Sequence, residues 1–149
     1  ASLLGLCEEA SFDGEAAMAL EGIAMGGSLE APFGLKWDNG VLVLDWRPAV
    51  RWLVENKKGI SAELLAGAVH TGLARATARA CGLLSEKTGL MEVVLSGGVW
   101  QNRRLLAFTR RFLKEMGMTS LVHRLLPPND ECVSAGQVAA AREILRRGR

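Results

Sequence analysis

The turn after the apolar run MEVVL combines residue types that can bind an anion. Ser96, Gly97 and Gly98 end that run, and a helical segment follows. Glycines can adopt φ > 0 and let a ligand approach the backbone closely. A helix N-terminus also offers N–H groups and a partial positive charge to a phosphate. The pattern therefore predicts a phosphate-binding turn, with a purely structural turn as the alternative.

A second turn, in the segment PPNDECVSAGQ, could contribute a carboxylate beside the first. Asn129 and Asp130 precede the last helical segment. Asp130 either caps that helix, a contribution of about 1 kcal/mol, or serves as a ligand for a hard or borderline cation. Because ligands of parallel α/β sheets bind beyond the carboxyl ends of the strands, we expect both turns to face one crevice.

Other common chemical motifs are missing from the sequence. His70 and His123 lie far apart in the chain and form no i, i+4 ligand pair, so a packed or surface imidazole is expected for both. Neither a Walker lysine motif nor the full dinucleotide glycine fingerprint occurs. Cys7, Cys81 and Cys132 form no CxxC pair, which is typical of reduced thiols in a cytoplasmic protein.

Length and composition indicate one globular domain, or one lobe of a larger one, over residues 1–149. Apolar residues make up 49% of the chain and charged residues 23%, and the formal net charge is +2. This charge produces no broad field for nucleic acid or an anionic membrane, so neither is expected as a partner. No apolar run approaches the roughly 20 residues that span a bilayer, and no secretory leader opens the chain. These features predict a cytoplasmic protein.

Helices and strands alternate along the chain and predict an α/β fold with parallel pairing. The turn Asp38-Asn39-Gly40 predicts a hairpin, expected as an antiparallel edge of the sheet. Ser61 is expected to cap the longest helix, and Gly89 to end it. The remaining expected elements are helices over 14–25, 49–59, 99–117 and 131–147, the last capped by Asn129 or Asp130, and strands over 91–95 and 119–126.

Three segments together resemble a known family. They are SFDGEAAMALEGIA near the start, LSGGVWQNRRLL, and VHRLLPPNDECVSAGQVAAA, and the likeness extends from Leu3 to Ala141. They are similar to the C-terminal end of the HypF carbamoyltransferases, which mature nickel–iron hydrogenases. SGGV alone is widespread, but SGGVWQN followed by PPND and GQ at this spacing is specific.

The resemblance implies a fold and a reaction. The fold is one lobe of an actin-like, sugar-kinase-like ATPase (ribonuclease H-like), a mixed sheet with flanking helices related to the universal tRNA threonylcarbamoyl transferases. Family members use ATP and carbamoyl phosphate to form carbamoyl-adenylate. They pass the carbamoyl group to the C-terminal cysteine of HypE, for cyanide ligand synthesis. The 149 residues then resemble the second lobe of a longer protein and would be inactive alone.

The resemblance also assigns roles by position. Gly97 and Gly98, with Ser96 before them, match the loop against the nucleotide, and Asn102 matches the asparagine after it. Gly14 and Glu15 match the helix start near the ribose or adenine, and Asp130 the acidic ligand of a divalent metal. The family's HHxAH histidine ligands are absent from this sequence, and residues 131–132 are Glu-Cys where the family commonly has two glycines.

Two other functions stay open at this point. One is a related transferase that acts on tRNA or on a small-molecule hydroxyl through the same kind of adenylate. The weak net charge of +2 disfavours tRNA. The other is a noncatalytic interaction module whose glycines only turn the chain.

Overall fold

The computed structural model describes residues 1–148 and contains five α-helices and four strands within that range. The α-helices are α1 (Glu15–Ile23), α2 (Arg47–Asn56), α3 (Ala62–Thr88), α4 (Arg103–Glu115) and α5 (Val133–Arg147). The strands are β1 (Gly34–Asp38), β2 (Val41–Asp45), β3 (Glu92–Leu95) and β4 (Thr119–Val122). Short 3-10 helices occur at Ser2–Leu4, Gly98–Gln101 and Asp130–Cys132. No helix in this range is long and apolar enough to cross a membrane.

The predicted hairpin is confirmed, and its two turn residues explain it. Asn39 has φ 47° and Gly40 has φ 82°. Positive φ at both central residues matches the right-handed twist of the flanking strands, and Asn-Gly tolerates it at low cost. β1 and β2 pair antiparallel, with Asp38 opposite Val41.

The predicted ends of α3 are also confirmed. The Ser61 hydroxyl accepts a hydrogen bond from the N–H of Leu64 at 3.4 Å. At the other end, Gly89 adopts φ 73° and its N–H donates to the carbonyl of Ser85 at 2.8 Å. Both ends depend on residues within four positions, which is why the sequence alone could predict them.

Small residues on α3 allow another stretch of backbone to lie directly against the helix. The N–H of Met25 donates to the carbonyl of Glu63 at 2.9 Å, and that of Ala31 to the carbonyl of Ala68 at 3.0 Å. A Cβ atom at Gly67 or Gly72 would overlap the carbonyl oxygen of Met25 or Ala31, respectively. The small residues of α3 therefore allow close packing that any side chain at Gly67 or Gly72 would prevent.

The main core lies between the parallel pair β3–β4 and the helices α3 and α4. Val93 and Leu95 face inward from β3, and Leu95, Phe112 and Leu113 are almost completely buried. The α/β class and the parallel pairing are confirmed. The hairpin, however, forms a separate two-stranded sheet and not an edge of the parallel one. It packs against α3, which separates it from β3 in the chain.

Candidate functional site

The two turns predicted to share a crevice contact each other. Gly97 adopts φ 103°, and its N–H donates to the carbonyl of Pro128 at 2.7 Å. A Cβ atom built on Gly98 would lie 3.7 Å from the Cβ of Asn129. The parallel register explains this proximity, because Leu95 lies opposite Val122 and both strands end at the same edge. The N–H of Gly97, however, is already paired and cannot also serve a ligand.

The helix after the glycines begins later than the sequence predicted. The 3-10 helix Gly98–Gln101 comes first, and α4 starts at Arg103. The Asn102 side chain caps α4, since its Oδ1 accepts from the N–H of Leu105 at 2.8 Å. The N–H of Arg104 donates to Oε1 of Glu21 at 3.1 Å. The expectation of free N–H groups at this helix start is therefore wrong at Arg104 and Leu105, because side chains already accept from both.

The available backbone donors belong to the 3-10 helix instead. Within residues 1–148, the N–H groups of Gly98 and Val99 have no hydrogen-bond acceptor. They are the first N–H groups of that short helix, which has no preceding turn to accept from them. Both residues line a cavity.

A cavity of about 350 Å³ separates α1 from the 3-10 helix. It brings together three of the predicted site residues, Gly14, Gly98 and Asn102. Two apolar side chains that line this cavity, Met18 and Val99, are 61% and 57% exposed. The complete lining is Asp13, Gly14, Ala17, Met18, Glu21, Gly98, Val99, Gln101 and Asn102.

Several lining residues were missed at the sequence level, although a signal was present. Ala17, Met18 and Glu21 follow the helix cap Gly14 at i+3, i+4 and i+7, so they lie on the same side of α1 as that cap. That spacing identifies a helix face but not what the face contacts. The partner, residues 98–102, became evident only from the tertiary structure.

Glu15 does not line the cavity. Its carboxylate accepts hydrogen bonds from both the backbone N–H and the hydroxyl of Ser11. These bonds, the backbone one first, hold the pKa of the Glu15 carboxyl below its usual value. Glu15 thus closes the turn that leads into α1, and its predicted contact with a nucleotide stays a prediction.

Ser96 also lies outside the cavity lining and pairs with an imidazole instead. Its Oγ is 2.9 Å from Nε2 of His123, and both residues are exposed. The two residues directly follow β3 and β4, whose parallel register places them side by side. Of the two environments predicted for His123, packed or at the surface, the surface one is confirmed.

The packed environment predicted for His70 is confirmed, and this residue holds the site residue Asn102 by a hydrogen bond. It is only 5% exposed. Its Nδ1 lies 2.7 Å from the carbonyl oxygen of Ala66, and Nδ2 of Asn102 lies 3.0 Å from its Nε2. A carbonyl can only accept, so Nδ1 carries the proton and Nε2 accepts from Asn102. Both polar ends of Asn102 are thus used within the chain.

Asp130 is exposed and begins the 3-10 helix Asp130–Cys132. Asn129 occupies the preceding cap position without a side-chain capping bond, and its Oδ1 is buried without a partner. The N-cap of α5 is Cys132, without a side-chain capping bond, so the predicted capping of this helix by Asn129 or Asp130 is wrong. Among residues 1–148, no group of three or more His, Cys, Asp or Glu residues could hold a metal ion. These residues do not by themselves fit a metal, and Asp130 as one ligand stays a prediction.

Comparison with known proteins gives consistent matches over almost the whole chain. A family model described as "Carbamoyltransferase, Kae1-like Domain, second subdomain" matches residues 1–137. Carbamoyltransferase HypF of Synechocystis sp. is 34% identical over 142 residues, covering 94% of this chain and 18% of that protein. Carbamoyltransferase HypF of Rhodobacter capsulatus is 35% identical over 147 residues, covering 95% and 18%, respectively.

Solved structures agree with these matches. Full-length HypF in a phosphate- and nucleotide-bound form superposes with a TM-score of 0.86 at 29% identity, covering 95% of this chain and 19% of that one. HypF of T. kodakarensis gives a TM-score of 0.79 at 25% identity, covering 97% and 19%. The chain thus spans about a fifth of the length of the relatives it matches.

Proposed function

This chain belongs to the HypF carbamoyltransferase family, and from that premise we propose that it forms one half of a nucleotide-binding crevice. In the intact protein, ATP and carbamoyl phosphate would give carbamoyl-adenylate. The carbamoyl group would then pass to the C-terminal cysteine of HypE, in the maturation of nickel–iron hydrogenases. The 149 residues act as the second lobe of the carbamoyl-transfer domain, and we expect no turnover from them alone.

The cavity between α1 and the 3-10 helix is the observation that carries the proposal. It joins Gly14 to Gly98 and Asn102, which are distant from Gly14 in sequence, and two of its lining residues, Gly98 and Val99, have unpaired N–H groups. Such N–H groups can donate to phosphate oxygens. The exposed Met18 and Val99 side chains offer apolar contact to a base. A solved relative with a TM-score of 0.86 is described as phosphate- and nucleotide-bound, which supports the same assignment.

The contribution of this lobe is positioning and not covalent chemistry. Backbone N–H donors hold an adenylate in place and stabilise negative charge as the bond to the phosphate breaks. The Asn102–His70 pair fixes the turn that presents these donors. An attacking thiolate would come from the partner protein, since the cavity lining contains no cysteine. A divalent metal would need ligands from elsewhere in addition to Asp130, and no step is assigned to it.

Gly98→Ala in the full-length protein tests the proposal without breaking the turn. A Cβ at this position meets only the Asn129 Cβ, at 3.7 Å, which is ordinary contact. The added methyl group would crowd a phosphate held by the N–H groups of Gly98 and Val99. Loss of one such bond, about 1.5 kcal/mol, weakens ATP affinity about tenfold. Isothermal titration calorimetry measures the affinity, and mass spectrometry of the HypE C-terminus measures carbamoyl transfer.

Gly26→Ala is the matched control. A Cβ at Gly26 meets no atom within 4 Å, and the residue does not line the cavity. We expect this variant to bind ATP and transfer the carbamoyl group like the wild type. Unchanged affinity in Gly98→Ala would contradict the proposed site. If the wild-type protein bound no nucleotide at all, the noncatalytic module would be the better description.

A further inference from the structure

Ser96 and His123 form a hydrogen-bonded pair at the edge of the parallel sheet where both strands end. Oγ of Ser96 lies 2.9 Å from Nε2 of His123. The two residues follow Leu95 and Val122, which lie opposite each other in the register of β3 and β4. In parallel α/β sheets, ligands bind beyond this carboxyl edge. The pair therefore lies at the edge that carries the candidate site, although neither residue lines the cavity.

The segment 123–128 is joined at both ends to the predicted phosphate-binding turn. At its start, His123 bonds to Ser96, and at its end the carbonyl of Pro128 accepts from the N–H of Gly97. Ser96 and Gly97 are consecutive residues, so one bond holds the turn by a side chain and the other by the backbone. This segment therefore fixes where the turn lies relative to β4.

The hydrogen bond between Ser96 and His123 can run in either direction. A hydroxyl both donates and accepts, and a neutral imidazole has one nitrogen of each kind. The carbonyl of Ala66 holds His70 in one tautomer, but Nδ1 of His123 has no hydrogen-bond partner among residues 1–148. Nothing in the described part of the chain therefore fixes which nitrogen of His123 carries the proton, and a ligand can select the form.

An anionic ligand selects the form in which Nε2 of His123 carries the proton. In that form, Nε2–H donates to Oγ of Ser96, and the hydroxyl proton of Ser96 is free to donate to the ligand. In the reverse form, the hydroxyl proton points to the imidazole, and Oγ turns only lone pairs toward the ligand. Because hydrogen bonds to ionised acceptors are roughly twice as strong as neutral ones, a phosphate favours the first form.

The Ser96 hydroxyl lies within reach of a ligand that also binds the unpaired N–H groups of Gly98 and Val99. Ser96 and Gly98 are both exposed. Two residues of extended chain span at most about 7 Å, which limits the distance between their Cα atoms. With a hydrogen bond of about 2.8 Å at each end, one phosphate group or two linked ones bridge that distance.

We propose that His123 is a positioning residue of the nucleotide site, which directs the hydroxyl of Ser96 toward a phosphate of the bound nucleotide. Ser96 adds a side-chain donor to the backbone donors of Gly98 and Val99, and the phosphate chain extends from the cavity across the turn. This role rests on the proposed function. The sequence motifs gave no role to His123, which was expected only as a packed or surface imidazole.

Variants of the full-length protein test this role by isothermal titration calorimetry with ATP. Ser96→Ala and His123→Leu should each weaken ATP affinity about three- to tenfold, as expected for the loss of one hydrogen bond. The double variant should stay within about twofold of Ser96→Ala, because the two residues act in series, whereas independent contributions would multiply. His123→Gln keeps an amide donor at a similar reach and should bind ATP within about twofold of the wild type.

Adenosine separates the positioning of a phosphate donor from a general loss of structure. It has no phosphate, so its affinity should change by less than about twofold in every variant. Ser120→Ala is the matched control for Ser96→Ala. The Ser120 hydroxyl also has a side-chain partner, since it accepts from Nε of Arg110 at 3.3 Å, but Ser120 lies near the opposite end of β4. We expect this control to bind ATP like the wild type.

The outcomes distinguish this role from the proposed function. Unchanged ATP affinity in Ser96→Ala and His123→Leu, with weaker binding in Gly98→Ala, would overturn the role of His123 and leave the proposed function intact. Equal weakening of ATP and adenosine, multiplied losses in the double variant, or no recovery in His123→Gln would also overturn it. A wild-type protein that bound no ATP would overturn both. His123 is exposed, so its replacement leaves no cavity, and Ser96→Ala gives the same test if His123→Leu fails to fold.

Discussion

Asn102→Ala removes the centre of a hydrogen-bond chain that joins α3 to α4. His70 Nδ1 donates to the Ala66 carbonyl at 2.7 Å, and His70 Nε2 accepts from Asn102 Nδ2 at 3.0 Å. At its other end, the Asn102 side chain caps α4 through the N–H of Leu105 at 2.8 Å. The substitution therefore affects a helix cap and a buried imidazole at once.

Two separate costs add up for this variant. Loss of an N-cap side chain costs about 1 kcal/mol. A buried acceptor left without a partner costs about 1–3 kcal/mol more, and His70 is only 5% exposed. We expect the free energy of unfolding to fall by about 2–4 kcal/mol, the sum of these terms.

Two further variants separate the cost of losing the helix cap from the cost of leaving the His70 imidazole unpaired. Ser61→Ala removes the N-cap of α3, whose hydroxyl accepts from Leu64 N–H at 3.4 Å. It should cost about 1 kcal/mol or less. Asn102→Ser keeps a capping oxygen but lacks the second polar atom that donates to His70, so it should lose the imidazole contribution of about 1–3 kcal/mol and retain the cap.

Urea unfolding followed by circular dichroism measures these differences. With a slope of about 2 kcal/mol per molar urea, Asn102→Ala should lower the midpoint by roughly 1–2 M at an unchanged slope. A double variant with His70→Leu should show a coupling energy of about 0.5–3 kcal/mol. If Asn102→Ala cost no more than Ser61→Ala, or if the coupling were zero, the imidazole bond would contribute no net stability and the reasoning would fail.

Two further predictions concern packing and charge. Gly67→Ala should lower the free energy of unfolding by about 1–3 kcal/mol or more, because its Cβ would overlap the Met25 carbonyl; Gly136→Ala, with no atom within 4 Å of its Cβ, should be neutral or stabilising in the same urea titration. The Arg47 guanidinium, together with the Arg47 backbone N–H, lowers the pKa of Asp45 from 3.8 to about 2. A carboxyl with a lowered folded-state pKa stabilises the fold above about pH 4, and this stabilisation is lost as the pH falls toward 2. The melting temperature of Asp45→Asn should thus lie below that of the wild type at neutral pH and converge with it in acid; a constant gap would contradict this, and NMR titration of the carboxyl measures the pKa directly.

Only part of the candidate site could be predicted from the sequence. Gly14, Gly98 and Asn102 were identified from motifs and do line one cavity. The motifs gave no indication that Glu15 bonds to Ser11, or that the Gly97 N–H is used by Pro128. A motif records residue type and spacing, whereas the partner of each hydrogen-bonding group depends on which segments fold against each other.

The sequence by itself determined the features that depend on near neighbours. The Asn39-Gly40 turn, the Ser61 cap and the Gly89 helix end follow from local φ preferences and from bonds within four residues. The likeness to the HypF carbamoyltransferases was likewise present in linear motifs, and the family model and the solved relatives confirm it.

Only the tertiary structure decided which distant groups meet. It separated the hairpin from the parallel sheet, joined Asn102 to His70, and paired the N–H of Arg104 with Glu21. It also left the large apolar side chains of α5 exposed within the described residues. The physical reason is that burial and hydrogen-bond partners at long range are set by the packing of whole elements, which no single stretch of sequence encodes.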